Sequence, residues 1–157
     1  MTEMYGYSKK VIEIFRHPKN MGEIKNPDGI GRVGNPVCGD VMVMYLKITK
    51  DKAGKEIIKD VKVKTFGCIA AISTSSILTE MIKGKSIEEA LKISNMDIAS
   101  KLDGLPPIKM HCSVLSADAL KEAVYDYYRR KGRKIPKGLR LAHERSEKVR
   151  KSIRHIH

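Results

Sequence analysis

The sequence predicts an α+β fold: a small antiparallel sheet covered by helices on one face, with a basic C-terminal helical extension. Three observations carry this expectation. Residues 40–66 hold β-rich runs with a hairpin-like turn, helical periodicities follow from residue 69, and the last stretch is strongly basic yet spaced like a helix.

In chain order, a short amphipathic helix is expected over Ser8 to Phe15, where Val11, Ile12 and Phe15 share a face, and His17-Pro18 ends it. Lys19 to Gly39 is rich in glycine and proline and has no periodic pattern, so it reads as a long functional or mobile loop. Val41 to Ile48 is the first strand and Ile57 to Phe66 the second, joined through Asp51-Lys52-Ala53-Gly54. In the second strand Val61 and Val63 alternate with Asp60, Lys62 and Lys64, which gives one buried and one wet face.

A helix from Ile69 to Lys83 closes on Gly84, and its alanines and serines allow other backbone to approach closely. Ser86-Ile87-Glu88-Glu89 opens the next helix with capping-box spacing, and a short one follows from Asp97 to Leu102. Pro106-Pro107 stops helical structure before a longer helix from about Cys112 to Arg130, with Leu115, Ala119, Leu120, Ala123 and Tyr127 on its core side. Beyond it, Leu139, Ala142, Ser146, Val149, Ile153 and Ile156 recur every three or four residues, as a solvated basic amphipathic helix would have them. The division expected is a folded domain over residues 1–132 and a basic helical extension over 133–157.

Charge separates the same two parts. The chain carries +13, of which residues 129–157 hold twelve Lys or Arg against two acids, +10, leaving +3 for the remaining residues. Counterion release would favour nucleic acid. With no Trp and two Phe, the chain lacks a stacking platform, and its charge lies outside the body, so nucleic acid is not the expected partner. The longest uncharged run, Thr65 to Thr79, falls short of the ~20 residues of a membrane span. Without a recognisable signal peptide, and with an odd cysteine count, a cytoplasmic, reducing setting is expected.

The three cysteines stand in Asn35-Pro36-Val37-Cys38-Gly39-Asp40, Phe66-Gly67-Cys68 and Lys109-Met110-His111-Cys112. A lone cysteine is often a small buried hydrophobe. These three instead fall at a loop tip and two helix starts, where the helix end favours thiolate, so exposed, activated thiols are expected. Asp40 follows Cys38 by two residues, on the same side of an extended chain, and His111 precedes Cys112, diverging from it by about 100° at a helix start. Thiolate with imidazole or carboxylate suits iron-sulfur clusters and zinc.

At these motifs the sequence resembles the IscU-type iron-sulfur cluster assembly scaffolds, a family also found as the N-terminal domain of NifU. Residues 5–130 carry the likeness: Tyr7-Ser8, His17-Pro18-Lys19-Asn20, NPVCGD at 35–40, TFGC at 65–68, Ser75-Ser76, TEMIKGK at 79–85 and LPPIKMHCS at 105–113. The resemblance implies a [2Fe-2S] cluster assembled from iron and desulfurase-derived sulfur and handed to acceptor apoproteins. Cys38, Cys68 and Cys112 would be ligands, with Asp40 and His111 competing for the fourth place. Cys112 and Lys109 would accept or steer sulfur, and Lys109 could pair with Asp40. Leu105, Pro106, Pro107, Ile108 and Lys109 would form a segment presented to an Hsp70-type chaperone. The protein would be a carrier rather than an enzyme, zinc could occupy the apo or aerobic form, and a homo-oligomer stays open. Ile69-Ala70-Ala71 replaces a common Gly-Ser-Ala after Cys68, and the tail beyond Arg133 has no counterpart in compact members.

Overall fold

The computed structural model describes the backbone of residues 3–4, 6–35 and 39–156, and the side chains of residues 6–35 and 39–151. The chain starts with two short paired strands, β1 (Glu3–Met4) and β2 (Tyr7–Ser8). Helix α1 (Lys9–Arg16) follows at once because the Ser8 hydroxyl, at its N-cap, accepts the Val11 amide at 3.1 Å.

The sheet has three antiparallel strands, β3 (Gly29–Gly34), β4 (Val41–Lys50) and β5 (Glu56–Phe66), in the order β3-β4-β5. The hairpin of β4 and β5 is as expected from the sequence. Strand β3 is a correction, since it lies inside the stretch expected to be a loop. Its sequence, GIGRVG, hides the strand because two of its core-side positions carry no side chain. A Cβ on Gly31 would stand 2.3 Å from the Ala119 carbonyl oxygen and 2.4 Å from the Ala123 nitrogen. Gly29 meets the Ala123 carbonyl oxygen in the same way. These glycines let a helix backbone lie directly on the strand.

That helix is α5 (Met110–Arg130), and with α2 (Ile69–Ile82) it covers one face of the sheet. Met42, Met44, Leu46, Ile58, Val61 and Val63 are fully buried beneath them, each stabilising by roughly 1.5–3 kcal/mol relative to exposure. Ile58 and Val61 both reach the core, three residues apart, because a bulge opposite Lys47/Ile48 absorbs one residue of β5. Two short helices, α3 (Ile87–Leu91) and α4 (Asn95–Lys101), fill the connection; Ser86 caps the first as its spacing implies, and Ser94 caps the second, which starts two residues before the expected Asp97.

Helix α2 carries Ser73, Thr74, Ser75, Ser76 and Thr79, all buried. Ser73 donates to the Val11 carbonyl at 3.0 Å, Ser76 accepts the Lys19 amide at 2.8 Å, and Thr79 accepts from Asn20 at 3.0 Å. The hydroxyls therefore fasten α1 and the following segment to α2. Among the described residues no buried side-chain polar atom lacks a partner.

Helix α6 (Lys137–Ile156) is the basic extension, and it packs on the body instead of standing as a solvated rod. Leu139 and Ala142 are buried, Leu139 joining the same core. His143 stacks on Tyr125 with ring centroids 3.8 Å apart and lies 3.1 Å from the buried Glu122 carboxylate. Burial pushes Glu122 up in pKa, and His143 and Arg150 oppose that rise. Near the start of the extension, Arg133 pairs with Glu56, which also takes the Tyr127 hydroxyl. This ties the end of α5 to the start of β5.

Candidate metal and sulfur site

Asp40, Cys68, His111 and Cys112 converge at the end of the sheet where β4 begins and β5 ends. The register pairs Val41 with Phe66, so the residue before one strand and the residues after the other are held side by side. Asp40 is also fixed from behind: its carbonyl accepts the Asn35 amide at 2.9 Å, and the Gly39 amide donates to the Asn35 carbonyl at 2.8 Å. Gly39 is at φ +77°, a conformation that suits glycine. Cys38 lies outside the described residues.

Cys68 is the N-cap residue of α2, extended and half-buried. Gly67 before it makes room for the acid, because a Cβ there would stand 2.9 Å from the Asp40 carboxyl carbon and 2.8 Å from the Ala71 Cβ. Cys112 comes from the neighbouring helix of the same layer, in the first turn of α5. Its carbonyl oxygen is met by the Ser116 hydroxyl at 3.1 Å and the Thr74 hydroxyl at 3.3 Å, themselves 2.8 Å apart.

The Cys68 and Cys112 sulfurs are 3.6 Å apart, in contact but not bonded, and each lies 3.8 Å from Asp40 Oδ2. His111 Nε2 is 3.5 Å from the Cys112 sulfur. Asp40, His111 and Cys112 present ligand atoms all within 4.8 Å of one another, while Cys68 joins through Cys112 and Asp40. Around one ion with bonds of ~2.3 Å to sulfur and ~2.0–2.2 Å to nitrogen or oxygen, tetrahedral ligand atoms lie roughly 3.5–3.8 Å apart. The separations of the Cys112 sulfur from Cys68, Asp40 and His111, 3.6, 3.8 and 3.5 Å, match that spacing.

Two expectations change here. The long helix begins at Met110, so Cys112 is its third residue and is fully buried, whereas an exposed helix start was expected. His111 and Cys112 do not diverge: the long imidazole reaches back so that Nε2 comes to the sulfur. Asp40 is buried as well, at 6% exposure.

Lys109 stands at the rim. Its pKa is raised chiefly by the charge of Cys68, then by Tyr7, with Asp40 the weakest of the influences. Among the described residues Lys109 and Asp40 form no ion pair. Tyr7 was missed by residue reading, although its motif was quoted. Burial raises its pKa first and the Cys68 charge next. Of the segment from Leu105 to Lys109, Leu105 packs against the core, Pro106 is in a polyproline-like conformation, and Ile108 is 79% exposed. Phe66 is 77% exposed and Val41 44%, so apolar side chains flank the site.

A family model described as the NifU-like N terminal domain matches residues 6–134. The iron-sulfur cluster assembly scaffold protein IscU 1 of Archaeoglobus fulgidus is 53% identical over 146 residues, 92% of each chain. The corresponding scaffold of Aquifex aeolicus is 43% identical over 129 residues, 82% of this chain and 80% of the relative. A solved NifU-like N-terminal structure from Brucella abortus is similar in fold, with a TM-score of 0.61 at 18% identity, covering 78% of this chain and 94% of that one. The Archaeoglobus alignment leaves 8% of 157 residues uncovered, about a dozen, fewer than the 20 of α6, so the likeness runs into that helix. At least the first part of the extension therefore has a counterpart in that relative.

Proposed function

This chain belongs to the NifU-like N-terminal domain family, and on that premise we propose that it is an iron-sulfur cluster assembly scaffold, building a [2Fe-2S] cluster from iron and desulfurase-derived sulfur and passing it to acceptor proteins. One observation supports this above others: two thiols 3.6 Å apart share a buried carboxylate at 3.8 Å, and one of them, Cys112, also has an imidazole at 3.5 Å. Cysteine with a harder oxygen or nitrogen donor holds iron less firmly than four thiolates would. A cargo site needs that weakness.

The residues divide the work by position. Cys68, half-exposed beside the cationic rim of Lys109, is where a donor's persulfide arrives: its thiolate attacks the outer sulfur, the donor's S–S bond breaks and the donor thiolate leaves. Cys112, closed in, receives iron or sulfur once its surroundings open. Asp40 and His111 hold the remaining positions and exchange them as cargo leaves, and Cys38, two residues from Asp40, completes the thiol set. The exposed Phe66, Val41 and Ile108 give donor and acceptor proteins, or a chaperone at Leu105 to Lys109, an apolar surface beside the site. The cytoplasm is the compartment that suits such thiols.

A second reading rests on the Asp40, His111 and Cys112 trio, whose spacing suits one zinc ion that protects the thiols until sulfur arrives. Anaerobic reconstitution with ferrous iron, cysteine and a cysteine desulfurase is expected to produce a [2Fe-2S] absorption spectrum. Absence of that spectrum, or its retention when Cys38, Cys68 and Cys112 are all changed to Ser, overturns the scaffold reading. Metal analysis of protein purified without oxygen separates iron from zinc.

A further inference from the structure

Helix α6 returns to the cysteine end of the molecule. His143 lies against Glu122 and Tyr125, while Arg145, Ser146 and Val149 face Val114, Ala117, Asp118 and Lys121 across a groove, so α6 runs back along α5 in the opposite direction. Arg150 donates to the Arg32 carbonyl of β3 at 2.9 Å, which holds the second half of α6 down. From Arg150 to the end of α6 at Ile156 is six residues, and from Asp118 back to Cys112 is also six, about 9 Å on each helix. The last turns of α6 thus lie level with the cysteines, on the other side of α5.

The outward face of α6 carries Lys137, Arg140, Glu144, Lys148 and Lys151, all exposed, four cations to one acid. Among the described residues none of these four cations has an acidic partner within 4 Å. Arg150, on the inner side, is already taken by Glu147 and Glu122. Between α6 and the site, Val114 is 44% exposed, so apolar surface continues from the cysteine end to the basic helix. Lys109 adds a cation at that same end.

We propose that α6 is a second docking element for the sulfur-donor protein, whose acidic surface meets Lys148 and Lys151 while its sulfur-carrying group reaches Cys68. The inference rests on the scaffold reading and names how that partner is recognised. A protein partner fits better than nucleic acid, because this helix face has no aromatic stacker and the adjoining surface is apolar. Charges at the rim of an interface act on the rate of encounter more than on the strength of the complex.

The test is the association rate of the full-length chain with the purified sulfur-donor protein of the same organism. The double variant K148E/K151E is expected to slow association about tenfold in 0.1 M salt, where charges act over ~10 Å, and within about twofold in 1 M salt, where they act over ~3 Å. K137E/R140E makes the same charge change about 16 Å further along the helix and is expected to cost less than about threefold. Equal slowing by the two pairs, no slowing by either, or no association of the unaltered chain overturns the proposal. So does loss of binding to a 20-base-pair DNA duplex by K148E/K151E while donor association is unchanged. Cluster formation from ferrous iron and sulfide salt, with no donor, reads the cysteine site alone. It is expected to be unchanged in K148E/K151E, and its failure in the unaltered chain counts against the scaffold reading instead.

Discussion

Replacing Gly31 by Ala is expected to lower stability sharply, and the structure sets the scale. The added methyl would lie 2.3 Å from the Ala119 carbonyl oxygen, 2.4 Å from the Ala123 nitrogen and 2.9 Å from the Glu122 Cβ, while ordinary contacts begin near 3.4 Å. The two closest atoms are helix backbone, which cannot turn aside, so α5 must retreat from β3 by about 1 Å against the close packing of the interior. Overpacking of this kind costs about 1–3 kcal/mol. For a chain of this size that is a fall in Tm of roughly 2–12 °C. Circular dichroism melts give the Tm. Because α5 also carries Cys112, zinc affinity, read by chelator competition, is expected to weaken as the 3.6 Å sulfur pair opens. Gly138→Ala is the matched control: nothing lies within 4 Å of the new methyl, and a helical glycine replaced by alanine gains about 0.5–1 kcal/mol. A Gly31→Ala protein melting within a degree of the unaltered chain refutes the account of why β3 carries glycines.

Leu139→Ala removes a buried side chain of α6 and should cost about 2–5 kcal/mol, spent largely on releasing that helix. Limited trypsin digestion is expected to cut within α6 while the body stays intact; simultaneous loss of both halves contradicts this. Glu56 gives a pH signature. The hydrogen bond from Arg133, foremost, holds its carboxyl below the ordinary 4.5. A folded-state pKa below the unfolded one means the stabilisation is complete above pH 4.5 and is lost as pH falls through the folded value. The stability difference between the unaltered chain and Glu56→Gln, from urea melts, should therefore be greatest near neutral pH and shrink below pH 4.5. A difference that is flat with pH removes the ion pair from the explanation.

Wherever side-chain pattern reports packing, sequence reading went far. The β4–β5 hairpin follows from alternation, α3 from its capping residue, and the core side of α5 from Leu115, Ala119, Leu120, Ala123 and Tyr127, all buried. It failed where the informative group is a missing one. Glycines in β3 contribute no hydrophobic alternation, since their role is to leave space for another backbone, and no local pattern reports that. Gly67 is the same case inside the site, where its absent Cβ leaves room for Asp40. The basic helix was misread for the opposite reason. Its charged residues dominate the composition, while the two that matter for packing, Leu139 and Ala142, are few.

The candidate chemistry was legible in the chain itself: residue type and order put thiols, a carboxylate and an imidazole at Cys38, Cys68, Cys112, Asp40 and His111. Tertiary structure decided their relation. Seventy-two residues separate Asp40 from Cys112, yet they meet at 3.8 Å because strand register fixes one and a helix lying on glycine fixes the other. Burial of Cys112 and the return of α6 toward the cysteines were likewise settled only by packing, which brings together atoms whose separation along the chain says nothing of their distance in space.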